Sequence, residues 1–410
     1  MTMTDTRLAV HGGEPVRTTP IGQWPEFGHE EEEVLLAALR SGKWGSLDGT
    51  YVSQFEREFA AFQAAKFGVT TVNATMGLAV AYKAIGLGPG DELIVPAYTF
   101  IATASAALMI GAIPVFADVD PETLLISPES IEAAVTPRTK AIVPVHHGGS
   151  PVDMDAAMAV AARHGLRVVE DAAQAHGAAW RGRPVGAIGD VGVFSHQSSK
   201  MLTAGEGGTM VTNDPEIDEL LWSYRNVGRR RGGEWYEHVR LGWNLRMTEF
   251  QAAVLLAQLK RFPEQQARRT EAAAYLTKRL EEVPGAVALE VPEGVTAHSW
   301  YTYHWRWVGA ADGGLPKAAF ADALRAEGIP LFSGYTPLNR NEAIRTEIRR
   351  LGGAEPAACP NAERAEADEI LMFAMPILLG SLEDLDDVVR AVAKVAAVRT
   401  EGRVPAMAHG

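Results

Sequence analysis

Short apolar runs recur between amphipathic helical stretches through the first two-thirds of the chain. This alternation constrains the fold more than any other feature. Strand-like segments stand at Phe67–Val72, Glu92–Pro96, Pro114–Phe116, Ala141–Val145, Arg167–Val169, Val191–Ser195 and Thr209–Thr212. Most are apolar throughout, which marks strands buried on both faces. Helices are expected between and before them, at Glu31–Arg40, Gln54–Ala65, Thr75–Ile85, Ile101–Ile110, Ser130–Val135 and Met154–His164, then from Met247 to Arg261. Such a chain predicts an α/β fold, a three-layer αβα large domain with a mostly parallel sheet. From Glu264 onward the texture changes. Helix Gln266–Glu281, a β-rich stretch at Ser299–Val308, helix Lys317–Glu327, an irregular stretch at Ser333–Asp368 and a final helix Leu382–Val398 predict a smaller α+β C-terminal domain. The expected division is an extended N-terminal arm 1–27, a large domain 28–263, a small domain 264–400 and a tail 401–410.

Composition excludes several classes. The 410 residues carry 38 Lys+Arg against 51 Asp+Glu, a net charge of −13, which suits neither a general nucleic-acid binder nor a protein of anionic membranes. One cysteine, Cys359, cannot build an intrachain disulfide or a Cys-rich zinc site, and it fits a reducing cytoplasm. Met1–Pro15 lacks the apolar core of a signal peptide. The most apolar window, Phe100–Ala117, contains Thr103, Ser105, Gly111 and Pro114, and reads as a buried helix followed by a buried strand rather than a membrane span. His146, His147, His164 and His176 have no metal-binding spacing on one helix, so no metal site is expected. The glycine-rich Gly86–Gly90 precedes a strand instead of following one. It therefore cannot aim backbone N–H groups at a pyrophosphate.

The informative segment is 168–208. Val168-Val169-Glu170-Asp171 is a strand that ends in a carboxylate, with Gln174 three residues on. Val191-Gly192-Val193-Phe194-Ser195 is a second strand, which leads through Ser198 and Ser199 to Lys200, and Thr203–Gly208 follows as a glycine-permitted turn. Residues at the C-terminal ends of parallel strands face the ligand crevice. A buried acid, a hydroxyl cluster and a lysine at one sheet edge are what pyridoxal phosphate needs. The lysine makes the Schiff base, the acid pairs with the pyridinium nitrogen, and hydroxyls with helix-start amides hold the phosphate.

Four motifs carry a resemblance: Glu170-Asp171-Ala172-Ala173-Gln174-Ala175-His176-Gly177, Ser195-His196-Gln197-Ser198-Ser199-Lys200, Gly205-Glu206-Gly207-Gly208 and Gly242-Trp243-Asn244-Leu245-Arg246-Met247. From about Leu8 to Val395 the chain resembles the DegT/StrS family of sugar and cyclitol aminotransferases, of aspartate-aminotransferase-like fold type I. The resemblance implies a pyridoxal 5′-phosphate enzyme in which Lys200 is the Schiff-base lysine and proton shuttle, and Asp171 pairs with the pyridinium nitrogen. It implies that Gln174 bonds the ring hydroxyl, that Phe100 stacks on the ring, and that Thr75, Met76 and Ser195 bind the phosphate. It further implies a homodimer in which Asn244 reaches the neighbouring subunit's phosphate. The partners are then a small-molecule amino donor, glutamine or glutamate, and a keto acceptor, with neither nucleic acid nor membrane.

Within the family, the opening Leu8–Arg17 and the phrase Leu202–Gly208 resemble the branch that aminates keto-cyclitols such as scyllo-inosose. That branch includes makers of aminohydroxybenzoate, and its setting is aminocyclitol, amino-sugar or secondary-metabolite biosynthesis. Nucleotide-sugar transamination and a non-catalytic regulatory role are the alternatives. Lys200 argues against the dehydratase branch, where the lysine is replaced. Ala74, Val227 and His147-Gly148-Gly149-Ser150 depart from the commonest family pattern, and they bear on the acceptor rather than the cofactor. Arg229-Arg230-Arg231 reads equally as an anion-capturing loop or as a solvated one. Tyr335–Asn339 resembles the loop that closes on the acceptor, or is a plain turn. Tyr301, Tyr303, Trp305 and Trp307 alternate as one face of a strand, the signature of core packing.

Overall fold

A computed structural model describes residues 7–399. The first six residues of the expected arm and the expected tail 401–410 lie outside the described residues.

Seven strands form the main sheet: β1 Phe67–Thr71, β2 Glu92–Pro96, β3 Ile113–Ala117, β4 Thr139–Ile142, β5 Arg167–Asp171, β6 Val191–Ser195 and β7 Gly208–Thr212. Their order is β1-β7-β6-β5-β4-β2-β3. β3, β2, β4, β5 and β6 pair in parallel, whereas β7 runs antiparallel between β6 and β1. The helices are α1 His29–Ser41, α2 Tyr51–Phe62, α3 Ala74–Ala84, α4 Ala102–Met109, α5 Pro128–Ala134, α6 Met154–His164, α7 Pro215–Arg225, α8 Glu249–Leu280, α9 Lys317–Ala326, α10 Glu342–Arg350, α11 Pro360–Arg364 and α12 Leu382–Ala396. β2 and β6 are buried at every residue, as the absence of a polar face in their sequences requires. The two faces of the sheet supply two cores, one around Leu78, Tyr82 and Val193, the other around Phe55, Phe59 and Phe194. The window Phe100–Ala117 is α4 followed by β3.

A second, four-stranded antiparallel sheet holds β8 Ala286–Ala288, β9 Thr302–Trp307, β10 Leu331–Phe332 and β11 Ile370–Ala374, in the order β8-β9-β11-β10. Its core joins Tyr303, Trp305 and Trp307 to Phe320 of α9 and to Leu385 and Val388 of α12. The arm is pinned to this part. Glu327, fully buried, accepts from the N–H groups of Ala9 and Val16 (2.8 and 3.0 Å) and from Lys394 Nζ (2.8 Å).

Three local expectations need correction. Two helices expected on either side of Pro263 are one helix, α8, of 32 residues with Pro263 inside. Proline removes a single helical hydrogen bond there, while Phe262 and Gln265 beside it are buried and hold the backbone in line. The stretch Ser333–Asp368 is not irregular throughout. It contains α10, whose only buried residues are Ile344 and Ile348 among seven others, too few to announce a period. Tyr301 does not continue the core face of β9. Only Tyr303, Trp305 and Trp307 do so, because Trp300 sits at φ +55° and turns the chain before the strand starts.

The helices are secured at their starts. The side chain of Thr248 caps α8 and that of Asn73 caps α3. Thr50 makes no side-chain cap for α2. Instead Glu249, at the start of α8 and 1% exposed, accepts from the N–H groups of Tyr51 and Val52 at 2.7 and 3.0 Å.

Candidate active site

The C-terminal ends of the parallel strands and the start of the second sheet enclose a cavity of about 610 Å³, within the usual range for small-molecule sites. Asp171 ends β5 and Ser195 ends β6. Asn73, Ala74 and Thr75 come from the start of α3, Thr99 and Phe100 from the turn after β2, and Gln174 and Lys200 from the loops after β5 and β6. Tyr301 just before β9 and Thr302 at its start, with Phe332 at the end of β10 and Gly334 and Tyr335 after it, close the opposite wall.

Asp171 is buried. Its Oδ2 accepts from Thr103 Oγ1 at 2.7 Å and its Oδ1 from the Ala173 N–H at 3.2 Å. Burial raises its pKa, against the lowering effect of those two bonds and of Lys200 and His146. A buried carboxylate that touches the cavity and has only neutral hydrogen-bond donors calls for a cationic N–H from within it. Thr103 is itself held by its place on α4, and its carbonyl accepts from Tyr82 Oη at 3.0 Å.

Gln174 is buried, and its Oε1 accepts from the Gly148 N–H at 2.7 Å. Gly148 has φ +64°, and a Cβ there would stand 2.5 Å from the ring of His304. Only glycine lets this backbone reach Gln174. The adjacent His147 is buried between Tyr98, His304 and Tyr335, with ring centroids 4.7–5.5 Å apart. Burial holds its pKa well below the ordinary histidine value, assisted by His304 and Lys200. It is therefore a neutral ring beneath the site, not a cation within it.

Ser195 is buried at the end of β6. Next to it His196 bonds the Leu202 carbonyl and Thr209 Oγ1 at 3.1 and 2.8 Å, so it shapes the loop that carries Lys200. At the start of β7, Gly208 packs against the start of α3, where a Cβ would lie 2.7 Å from the carbonyl carbon of Asn73. Lys200 Nζ stands 3.9 Å from the centroid of the Tyr301 ring.

Of the eight expected site residues, Thr75, Phe100, Asp171, Gln174, Ser195 and Lys200 line this one cavity. Met76 and Asn244 are not among its lining residues. The Met76 N–H is accepted by Asn73 Oδ1 at 2.9 Å, and its side chain packs toward the core. Asn244 is exposed and bridges Asn226 through the main chain. The three arginines after Val227 stay within their own neighbourhood: Arg229 lies over Trp235 at 4.0 Å, Arg230 pairs with Glu237, and Arg231 pairs with Asp218. Thr103 and Tyr301 escaped sequence reasoning. Thr103 is a polar residue inside an apolar run, the one sign it offered. No group of three or more His, Cys, Asp and Glu placed for a metal ion occurs among the described residues, nor does a helix long and apolar enough to cross a membrane.

A mainly parallel sheet whose strand ends bring a lysine and a buried aspartate to one cavity defines the class of the fold-type I aminotransferases. Comparison with known proteins narrows the class. The DegT/DnrJ/EryC1/StrS aminotransferase family matches residues 25–393, and the chain belongs to that family. It is 40% identical to the L-glutamine:scyllo-inosose aminotransferase of Streptomyces griseus over 416 aligned positions, 95% of this chain and 98% of the relative. The crystal structure of 3-amino-5-hydroxybenzoic acid synthase superposes with a TM-score of 0.87 at 35% identity, covering 93% of this chain and all of that one. The S. venezuelae aminotransferase DesV, solved in complex with a ketimine intermediate, superposes with a TM-score of 0.81 at 34% identity, covering 90% of this chain and 95% of that one. Aminotransferases of this family are pyridoxal-phosphate enzymes.

Proposed function

We propose that this enzyme binds pyridoxal 5′-phosphate and transfers the amino group of L-glutamine or L-glutamate to a keto-cyclitol of the scyllo-inosose type. The observation that carries the reading is the meeting of Lys200 and the buried Asp171 on one 610 Å³ cavity. The residues present fit the cofactor, because Asp171 lacks the cationic partner that a pyridinium N–H supplies. When bound, the cofactor provides the electron sink that makes a proton on the amino-bearing carbon removable.

The chain does the rest. Asp171 holds a proton at the ring nitrogen, and Thr103 fixes the orientation of its carboxylate. Lys200 Nζ, which lines the cavity, would take the proton from the amino-bearing carbon of the donor and return it later in the cycle. Gln174, held by the Gly148 N–H, would bind the ring hydroxyl, and Phe100 would cover the ring face. Thr75 at the start of α3 and Ser195, which both line the cavity, would hold the phosphate, where helix-start amides favour an anion; the Met76 N–H, the third group expected there, is taken by Asn73 Oδ1.

We further propose a cytoplasmic homodimer in which Asn244 completes the neighbouring subunit's site. In support, Asn244 is exposed and away from its own cavity. The loop before it shows solvent Trp235, Tyr236 and Leu241, and α1 shows Leu35, Leu36 and Leu39. Apolar exposure of that extent marks an interaction surface. We also propose a large domain 28–263 and a small domain 264–400; in support, a separate core forms around Trp305 and Trp307.

The test uses purified protein. Pyridoxal phosphate should add an absorbance band above the protein region, and borohydride should fix the cofactor to Lys200. Lys200→Ala should lose that fixation and about 1,000-fold or more in turnover. An amino-cyclitol product supports the reading, whereas a deoxy product or unchanged Lys200→Ala turnover rejects it. A second reading, formation of 3-amino-5-hydroxybenzoate, is favoured by the 0.87 TM-score, and the same product analysis separates the two.

A further inference from the structure

Lys200 Nζ has an unusual resting place. Among the described residues no carboxylate lies within ion-pair distance of it, although Asp171 acts on it through space. Its close partner is the face of Tyr301, 3.9 Å from Nζ to the ring centroid. An ammonium over an aromatic face is attracted by the ring's negative quadrupole, most strongly where water is scarce.

Tyr301 is held by its hydroxyl, by its backbone and by the turn before it. Tyr301 Oη shares a hydrogen bond with Ser199 Oγ at 2.8 Å, one residue before the lysine. Ser199 is in turn tied to Gln197 Oε1 by its N–H and its hydroxyl at 2.9 and 2.7 Å. The Tyr301 N–H donates to the Gly148 carbonyl at 3.0 Å. Before it, Trp300 occupies φ +55°, a conformation that bulky residues avoid unless their surroundings enforce it. His298 does so here: it stacks on the Trp300 ring at 3.7 Å, and its Nδ1 accepts the Trp300 N–H at 2.9 Å. A strained turn thus sets one aromatic ring against one lysine.

We propose that Tyr301 is a positioning residue that parks the free ammonium of Lys200 over its π face whenever the lysine is not bonded to the cofactor. This rests on the reading of Lys200 given above. In a two-stage transamination the lysine is released in each cycle and must return to the same carbon. A long flexible side chain left in water has many places to go. The ring confines it to one, so return is a short intramolecular step. An ion pair with a carboxylate would confine it too, but would hold the proton on nitrogen more firmly than a neutral ring does.

The experiment places phenylalanine carrying zero, one, two or three ring fluorines at position 301 of the full chain. Fluorine drains the negative face at nearly constant shape. Two quantities are read: the rate at which apoenzyme captures added pyridoxal phosphate, followed by cofactor absorbance, and the split between kcat and KM. Capture and kcat should fall stepwise with fluorination, the trifluoro ring lying about five- to thirtyfold below unsubstituted phenylalanine, while KM stays in place. Tyr301→Leu, which removes the face, should fall at least as far as the trifluoro ring. A flat response across the fluorine series overturns the proposal, since a merely space-filling ring would give that result. The underlying reading fails separately: if Lys200→Ala apoenzyme still forms a borohydride-stable link as the parent does, Lys200 is not the bonding lysine and the role of Tyr301 falls with it.

Discussion

A carboxylate shut away from water is held at a cost unless a positive group meets it, and Asp171 is in that position before any ligand arrives. Its pKa is raised, first by burial and only partly offset by Thr103, Ala173 and Lys200. The sign follows. An acid whose pKa is higher in the folded state favours the fold most when protonated, below its unfolded value, and that advantage is lost as pH rises through the folded value. Cofactor-free Asp171→Asn should therefore melt above the parent at neutral pH, with the difference closing in acid. The same variant should lose about 100-fold or more in turnover, because a neutral amide cannot hold the ring-nitrogen proton by charge. Calorimetry of the cofactor-free proteins at two pH values checks the first part. A parent more stable than the variant at neutral pH would refute it.

Among the elements, α2 and α8 show that the start of one helix can serve another. Glu249 belongs to the first turn of α8 and also supplies the acceptor that Thr50 fails to supply to α2. Glu249→Ala should cost about 1–3 kcal/mol in urea unfolding, since it leaves two N–H groups without a partner. Glu249→Gln should recover part of the loss. A cost near zero would mean that water reaches those amides. The same scale shows what the sequence could announce. β2 and β6 declare themselves by short, mostly apolar runs, and Asp171, Gln174, Ser195 and Lys200 stand within thirty positions of one another, so a local pattern reveals them together. Thr103, which bonds Asp171, and Tyr301, which lines the cavity, come from far away in the chain, and no local pattern links them to the site. α8 was legible only as two pieces because Pro263 has the chemistry of a helix breaker, and the burial of its neighbours is a tertiary fact. α10 hid for the opposite reason, having two apolar residues to bury among many charged ones.

At the level of the whole molecule, the proposed pair of subunits makes each site a joint product. Lys200→Ala and Asn244→Ala should each impair a homodimer, the second through phosphate binding. Mixed after dissociation and reassociation, the two inactive proteins should regain about a quarter of parental activity, because half the dimers are hybrids and each hybrid owns one intact site. No recovery from a properly reassociated mixture would place Asn244 outside the neighbour's site. The single helix α8 has its own consequence at this scale. Its first half shares a core with the sheet whose strand β6 leads into Lys200, and its last turns share a core with the sheet whose strand β9 follows Tyr301. Every residue of a helix turns the chain by about 100° and advances it by about 1.5 Å. An extra residue spliced into the middle of α8 would swing everything beyond it out of phase, and the two walls of the cavity would no longer face each other. The helix acts as a protractor, and its residue count is a dimension of the active site.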